Sequence, residues 1–283
     1  MIKVILLDID GTLTNDDKKI SPKTRDTLIK AQQLGARVIL ASGRPTSGLV
    51  DYGKELKMNE HHGLFVAYNG SKVVDCQTGA PLFNQAMTIE EGKAVLEHMK
   101  QFKVIPIIDK DDYMYVNNVY NCYIDINEDG VPFNIIQYES RNNKYLLCEK
   151  EDLAAFANFE INKILTAGDP AYLREHYQEM EAPFKDTLNC MFTAPFYFEY
   201  TAKGIDKAKA IDTVISNLGY TKDEIIAFGD AQNDISMVKY AGIGVAMANG
   251  CDELKEAADE ITLSNNDDGI VYSLIKHMPE LSS

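Results

Sequence analysis

Asp8 and Asp10 stand one residue apart at the end of an apolar, β-branched run, in Val4-Ile-Leu-Leu-Asp8-Ile-Asp10-Gly11-Thr12-Leu13. Two carboxylates crowded beyond a buried strand lose hydration and repel each other unless positive charge sits between them. A bland strand end carries a single turn-forming Asp. The doubled acid in Asp-x-Asp-Gly-Thr points instead to a Mg²⁺-dependent site with a carboxylate nucleophile and a neighbouring acid/base. Three further segments supply what that chemistry lacks. Ser42 offers a hydroxyl in Ala41-Ser42-Gly43-Arg44 and Lys207 an ammonium in Gly204-Ile-Asp-Lys207. Asp230 and Asp234 add two acids in Gly229-Asp230-Ala-Gln-Asn233-Asp234. A nucleophile, an acid/base, a hydroxyl, a cation and spare carboxylates for a hard metal ion are the parts phosphoryl transfer needs, since its catalysis is mainly positioning and charge neutralisation.

These segments meet only if the elements carrying them end together. Ile2–Leu7 reads as a buried strand. Ser21-Pro22 opens a helix that Gly35 stops, through an N-cap followed by a first-turn proline. Arg37–Ala41 is a second strand, with a helix after it to about Lys57, and Leu64–Tyr68 is a third, closing at Asn69-Gly70. This β-α-β-α-β order predicts a parallel sheet with right-handed crossovers, and ligands bind such sheets just beyond the carboxyl ends of their strands. Between about Phe83 and Tyr200 the order becomes mixed. Short strands at Val104–Ile108, Tyr113–Val116, Tyr145–Cys148, Lys163–Thr166, Leu188–Thr193 and Phe196–Tyr200 alternate irregularly with helices opening at Thr88, Asp152 and Pro170. The α/β order then returns with a helix over Asp206–Leu218, strands at Ile225–Phe228 and Ile243–Ala246, and a last helix from Asp267 to Met278. The expected fold is α/β: a Rossmann-like, doubly wound parallel sheet core formed by residues 1–83 and 200–283, interrupted by an inserted α+β cap over residues 84–199.

Composition narrows the functions open to this fold. A chain of 283 residues has room for a substantial core and two domains. The formal net charge of -15 argues against nucleic acid or an anionic membrane as the main partner, although a site with local cations still accepts an anionic substrate. Cys76, Cys122, Cys148, Cys190 and Cys251 are odd in number and show no C-x-x-C pair, which suggests reduced thiols in a cytoplasmic protein. Asp8 and Asp10 break the first apolar run, so it is not read as a signal peptide. No apolar stretch approaches the roughly 20 residues of a membrane helix. Gly242-Ile-Gly244 lacks the third glycine of a dinucleotide fingerprint, and the histidines show no metal-ligand spacing.

The four segments, in this order, resemble the four motifs of the haloacid dehalogenase superfamily. The long insertion between the second and third, with Gly244-Val-Ala-Met-Ala-Asn249 after the fourth, is similar to the Cof-type subgroup with a C2B cap. The likeness runs along essentially the whole chain; Ala208 departs from the glycine often found after the third-motif lysine. It implies a Mg²⁺-dependent phosphatase of small phosphorylated metabolites, sugar phosphates foremost; the expected assembly, which the likeness does not address, is a monomer or small homo-oligomer. Carried over position by position, it implies that Asp8 attacks phosphorus and becomes an aspartyl phosphate, while Asp10 serves first as acid and then as base. Ser42, Gly43, Lys207 and Asn233 would hold the phosphoryl group. Asp8, the Asp10 carbonyl and Asp230 would hold Mg²⁺, with Asp234 as ligand or support. Thr12, Arg44 and Asn69 would steady the site or face the substrate. Lys203 competes with Lys207 for the third-motif role; Lys207 is preferred because it follows Gly-x-x and begins the helical periodicity. A phosphomutase of the same cap subgroup and a non-catalytic Mg²⁺-binding regulatory module are the rival readings.

Overall fold

The computed structural model describes residues 1–282. Strand β1 (Val4–Leu7) is apolar and buried throughout. Helix α1 (Pro22–Gln33) starts where Ser21 Oγ accepts the Thr24 N–H and Pro22 presets φ. Strand β2 (Arg37–Ala41), helix α2 (Val50–Glu55), and strands β3 (Leu64–Ala67), β4 (Lys72–Asp75) and β5 (Pro81–Asn84) follow. Helix α3 (Ile89–Met99) opens on a capping box between Thr88 and Glu91. Then come β6 (Ile105–Lys110), β7 (Tyr113–Val116), β8 (Tyr123–Ile124), β9 (Phe133–Asn134), α4 (Ile135–Asn143), β10 (Leu146–Glu149), α5 (Leu153–Phe156), β11 (Lys163–Ala167), α6 (Pro170–Glu181), β12 (Leu188–Ala194) and β13 (Tyr197–Ala202). The chain finishes with α7 (Lys207–Asn217), β14 (Ile225–Gly229), α8 (Ile235–Tyr240), β15 (Ile243–Ala246), α9 (Asp252–Ala257), β16 (Glu260–Ile261) and α10 (Gly269–His277).

The described residues form two compact units, 1–84 with 206–282, and Gln85–Ile205. In the first unit one sheet runs β16-β15-β14-β1-β2-β3-β4-β5. Its strands from β16 to β3 are parallel, as the β-α-β order predicts. Strands β4 and β5 depart from that pattern and pair antiparallel. The turn from β3 to β4 spans only Tyr68–Ser71, far short of the dozen or so residues a parallel crossover takes. Alternation along β1 sends Ile5 and Leu7 into one layer with Leu28 of α1 and Leu274 of α10, and Val4 and Leu6 into the other with Ile211 of α7 and Met237 of α8. The sheet is thus wound on both faces. Leu7 pairs with both Leu40 and Phe228, so β1, β2 and β14 end level at one edge.

The second unit has a sheet in the order β10-β7-β6-β11-β13-β12, antiparallel except between β10 and β7. One face packs on α3, α5 and α6 through Val95, Leu153 and Leu173; the other packs on α4 through Ile135 and Ile136. Strand β13 runs on to Ala202 within this sheet, so the unit ends later than residue 199. Helix α4 is absent from the sequence reading. Its weak helix formers and its left-handed Lys144 C-cap, in place of a glycine, hide both its body and its end. All five cysteines are free thiols. No described helix is long and apolar enough to cross a membrane.

Candidate active site

The level strand ends of the first unit deliver the acids. Asp8 leaves β1 with its N–H on the Phe228 carbonyl at 3.1 Å, and Leu13 N–H returns to the Asp8 carbonyl at 3.2 Å, curling the chain over the strand end. Gly11 makes that curl possible. Its φ is +84°, and a Cβ there would lie 2.4 Å from Asp230 Oδ2. Ser42 leaves β2 beside Asp8, and Asp230 leaves β14. The fourth contribution comes from the start of α7, where Asp206 caps the Lys209 N–H and Lys207 is the first helical residue. Gly70, at φ +100°, lets the β3–β4 turn approach this point: a Cβ on it would lie 2.5 Å from the Asp206 carbonyl oxygen.

Lys207 is 1% exposed, yet its ammonium has three partners. Nζ donates to Asp8 Oδ1 at 2.8 Å, Asp234 Oδ1 at 2.6 Å and the Ala41 carbonyl at 3.0 Å. Burial works against its charge, but Asp8 and Asp234 outweigh burial and raise its pKa above the ordinary value. Lys203 belongs to the second unit, where it donates to the Lys185 carbonyl at 3.0 Å. Asp234 is wholly enclosed, and its Oδ2 accepts the backbone N–H groups of Asp230 and Ala231, both at 3.1 Å. Asp230 Oδ1 accepts from the Thr12 hydroxyl at 2.7 Å. One carboxylate oxygen from each of Asp8, Asp230 and Asp234 lies within 4.8 Å of the others. One ammonium among three acids leaves an excess of negative charge. Burial first, then Asp234, pushes the Asp8 carboxyl up to about 8, and burial is the largest influence raising Asp230 to about 6.

Asp10 faces different company. Arg44 Nε and the second guanidinium nitrogen grip its two oxygens at 2.7 and 2.8 Å, and Lys18 Nζ reaches one of them at 3.1 Å. Burial would raise its pKa, but the Arg44 hydrogen bonds and charge prevail and hold the carboxyl below the usual range. The Arg44 guanidinium also lies 5.7 Å from the centre of the Tyr52 ring. Ser42 Oγ accepts the Arg44 N–H at 3.2 Å, which leaves the hydroxyl proton as a donor. Asn69 sits in the left-handed region at φ 56°, donates its N–H to the Ser42 carbonyl at 2.9 Å, and accepts from Asn233 Nδ2 at 3.1 Å. A Cβ on Gly43 would lie 3.1 Å from the Asn69 amide nitrogen, so that glycine leaves room for the amide.

The structure therefore brings Asp8, Thr12, Lys207, Asp230 and Asp234 into one cluster. It places Asp10 with Arg44 beside that cluster, and Ser42, Gly43, Asn69 and Asn233 in a chain of contacts along the same edge. Two residues in this arrangement escape the sequence reading. Lys18 sits in a polar turn with nothing to mark it. Asn249, in the quoted Ala-Met-Ala-Asn run, donates its amide to the Gly11 carbonyl at 2.8 Å.

A family model described as haloacid dehalogenase-like hydrolase matches residues 5–274. A haloacid dehalogenase-like hydrolase from Bacteroides thetaiotaomicron is similar over 98% of this chain and 100% of its own, with 33% identity and a TM-score of 0.90. The 5-amino-6-(5-phospho-D-ribitylamino)uracil phosphatase YcsE of Bacillus subtilis is 29% identical over 275 residues, covering 96% of this chain and 94% of that protein. A sugar phosphatase of subclass IIB in the same superfamily is 25% identical, with a TM-score of 0.73 over 98% of this chain and 99% of its own.

Proposed function

The chain belongs to the haloacid dehalogenase-like hydrolases and is a phosphatase, and from that premise we propose that it hydrolyses phosphate monoesters of small metabolites, sugar phosphates first, through an aspartyl phosphate on Asp8. The observation that carries this reading is the Lys207 contact. A buried ammonium fixes Asp8 Oδ1, while Asp8 Oδ2 accepts no hydrogen bond among the described residues and is left to attack. The substrate class rests on relatives whose names carry a sugar phosphatase and a phosphoribityl substrate.

Mg²⁺ fits the donor set. Carboxylate oxygens are the hard ligands it prefers, Asp230 Oδ2 has no hydrogen-bond donor among the described residues, and the raised Asp8 and Asp230 carboxyls call for positive charge. Asp8 and Asp230 would hold the ion with the Asp10 carbonyl. Asp234 would support them, because both its oxygens are already engaged. When bound, Mg²⁺ would neutralise phosphoryl charge that the acids would otherwise repel.

Asp8 attacks phosphorus and the bond from phosphorus to the leaving oxygen breaks, with Asp10 giving that oxygen a proton. Lys207 and the Ser42 hydroxyl stabilise the charge on the transferring group. Water then attacks the acyl phosphate, Asp10 takes its proton, and Asp8 is released with inorganic phosphate. In its ion pair with Arg44 Asp10 is ionised, the form that serves this second step. Its service as acid requires Arg44 to let go. The test is phosphate release with Mg²⁺ from a panel of phosphorylated metabolites, using Asp8→Asn as the blank. Free phosphate from sugar phosphates, absent with Asp8→Asn, is the expected result. An isomerised sugar phosphate without free phosphate would mean a mutase, and no turnover of any ester would refute the reading.

A further inference from the structure

Asn249 lies in the turn after β15, outside the segments that carry the acids and the lysine. Its two amide ends do different jobs. Nδ2 donates to the Gly11 carbonyl at 2.8 Å, and Oδ1 accepts the Asn265 N–H at 3.0 Å. The same turn is pinned to the second acid loop, since Cys251 N–H donates to the Asp230 carbonyl at 2.8 Å. A Cβ on Gly250 would lie 3.1 Å from that carbonyl oxygen. One surface turn therefore holds the backbone of both loops that bring acids to the cluster.

Gly11 is where such a hold matters. With no side chain and a φ of +84°, it resists rotation of the Gly11–Thr12 peptide less than any other residue would. That peptide rides directly against the Asp230 carboxylate. Its rotation would draw the Thr12 hydroxyl off Asp230 Oδ1 and disturb Asp10, its neighbour on the other side. Nothing else within the 9–14 turn holds the Gly11 carbonyl: the backbone bonds there run from Thr12 and Thr14 to Ile9, and from Leu13 to Asp8.

We propose that Asn249 is a positioning residue of the site, its amide N–H fixing the Gly11–Thr12 peptide and through it Thr12, Asp230 and Asp10. The proposal deepens the phosphatase reading and rests on it. A residue that merely closed its own turn would need only the acceptor facing Asn265. Positioning needs the donor. Asn249→Asp separates the two, because it keeps an oxygen for the Asn265 N–H and sets a carboxylate oxygen against the Gly11 carbonyl.

The experiment pairs steady-state kinetics on p-nitrophenyl phosphate with amide hydrogen exchange of the full chain, for wild type, Asn249→Ala and Asn249→Asp. Asp8→Asn serves as the dead control. Misplacing reacting groups by about an ångström costs up to about 10²-fold. Turnover should therefore fall roughly 10- to 100-fold in both variants, at least as far in Asp as in Ala, with KM changed by less than about threefold. Exchange of the amides at residues 9–14 should quicken about tenfold while those of β2 stay as in wild type. Wild-type turnover in Asn249→Asp, or unchanged exchange at 9–14, overturns the proposal. If wild type releases no more phosphate than Asp8→Asn, the phosphatase reading has failed, and the exchange data alone then decide whether Asn249 holds the turn.

Discussion

Lys207 shows how much one side chain carries. It is the only cation in contact with Asp8 and Asp234 among the described residues, and burial makes its charge expensive without them. Lys207→Met keeps the bulk and removes the charge. The three acids then lose their counter-ion, and the transferring phosphoryl group loses a stabilising contact. Turnover should drop by about 10²–10³, the usual cost of deleting one such group. Steady-state kinetics at saturating Mg²⁺ checks this, and a variant within tenfold of wild type would remove Lys207 from the mechanism. Spacing made this lysine legible: it follows Gly-x-x and opens a helical period, whereas Lys203 four residues earlier does neither. Lys18 and Asn249 were not legible. Each acts on a partner that only the folded turns bring near, Asp10 across a polar loop in one case and a glycine carbonyl 238 positions away in the other.

Among the elements, the start of α7 and the β3–β4 turn are fitted to each other, and Gly70 is the joint. Gly35 makes a useful comparison. Both have positive φ, +100° and +98°, but a Cβ on Gly35 meets nothing within 4 Å, while one on Gly70 meets the Asp206 carbonyl at 2.5 Å. Gly35→Ala should cost about 1–2 kcal/mol of stability from the left-handed backbone alone and leave kcat as in wild type. Gly70→Ala should cost more and also lower kcat, because relief of the clash moves the helix start that carries Lys207. Urea unfolding and kinetics of the two variants decide the matter; equal stability losses with unchanged kcat in both would contradict it. Elements with clear punctuation could be read from sequence, as at Ser21-Pro22 or Thr88–Glu91. The short strands between Lys72 and Phe83, joined at Gln77-Thr78-Gly79, were equally readable, whereas the antiparallel direction of β4 against β3 and helix α4 were not. Strand direction there is set by the shortness of one turn, and α4 ends on a lysine where a glycine would have marked the stop.

For the molecule as a whole, the excess negative charge at the strand ends is a cost of folding that pH and metal should reveal. Asp8 rises from an ordinary 3.8 to about 8, and Asp230 to about 6. Over that window the folded chain keeps protons that the unfolded chain has released, so stability without metal falls as pH climbs from near 3.8 toward 8. Asp10 runs the other way: its carboxyl is held low, so its contribution is lost only as pH drops below the ordinary carboxylate range. Thermal unfolding of the metal-free chain should give a Tm that declines from about pH 5 to 8. Saturating Mg²⁺ should raise Tm most at the alkaline end, by the equivalent of about 2.7 kcal/mol at a hundredfold excess over Kd. A Tm that rises with pH in the absence of metal would contradict the charge balance. At this scale the sequence carries one visible signal, an α/β order that stops near Phe83, gives way to a mixed order and resumes after Tyr200. The end of the second unit was not legible, since β13 continues through Ala202 without a break in composition.

The most direct test of the account is the covalent intermediate. In the proposed mechanism Asp10→Asn removes the base of the second step while leaving Asp8 in place. Mixed with p-nitrophenyl phosphate and Mg²⁺, it should gain the mass of one phosphoryl group on the intact chain, with the label mapped to Asp8 after proteolysis. Turnover should be about 10²–10⁴-fold slower than wild type. An Asp10→Asn variant that turns over like wild type, or a phosphoryl label that persists in Asp8→Asn, would contradict the assignment of Asp8 as nucleophile and Asp10 as its acid/base.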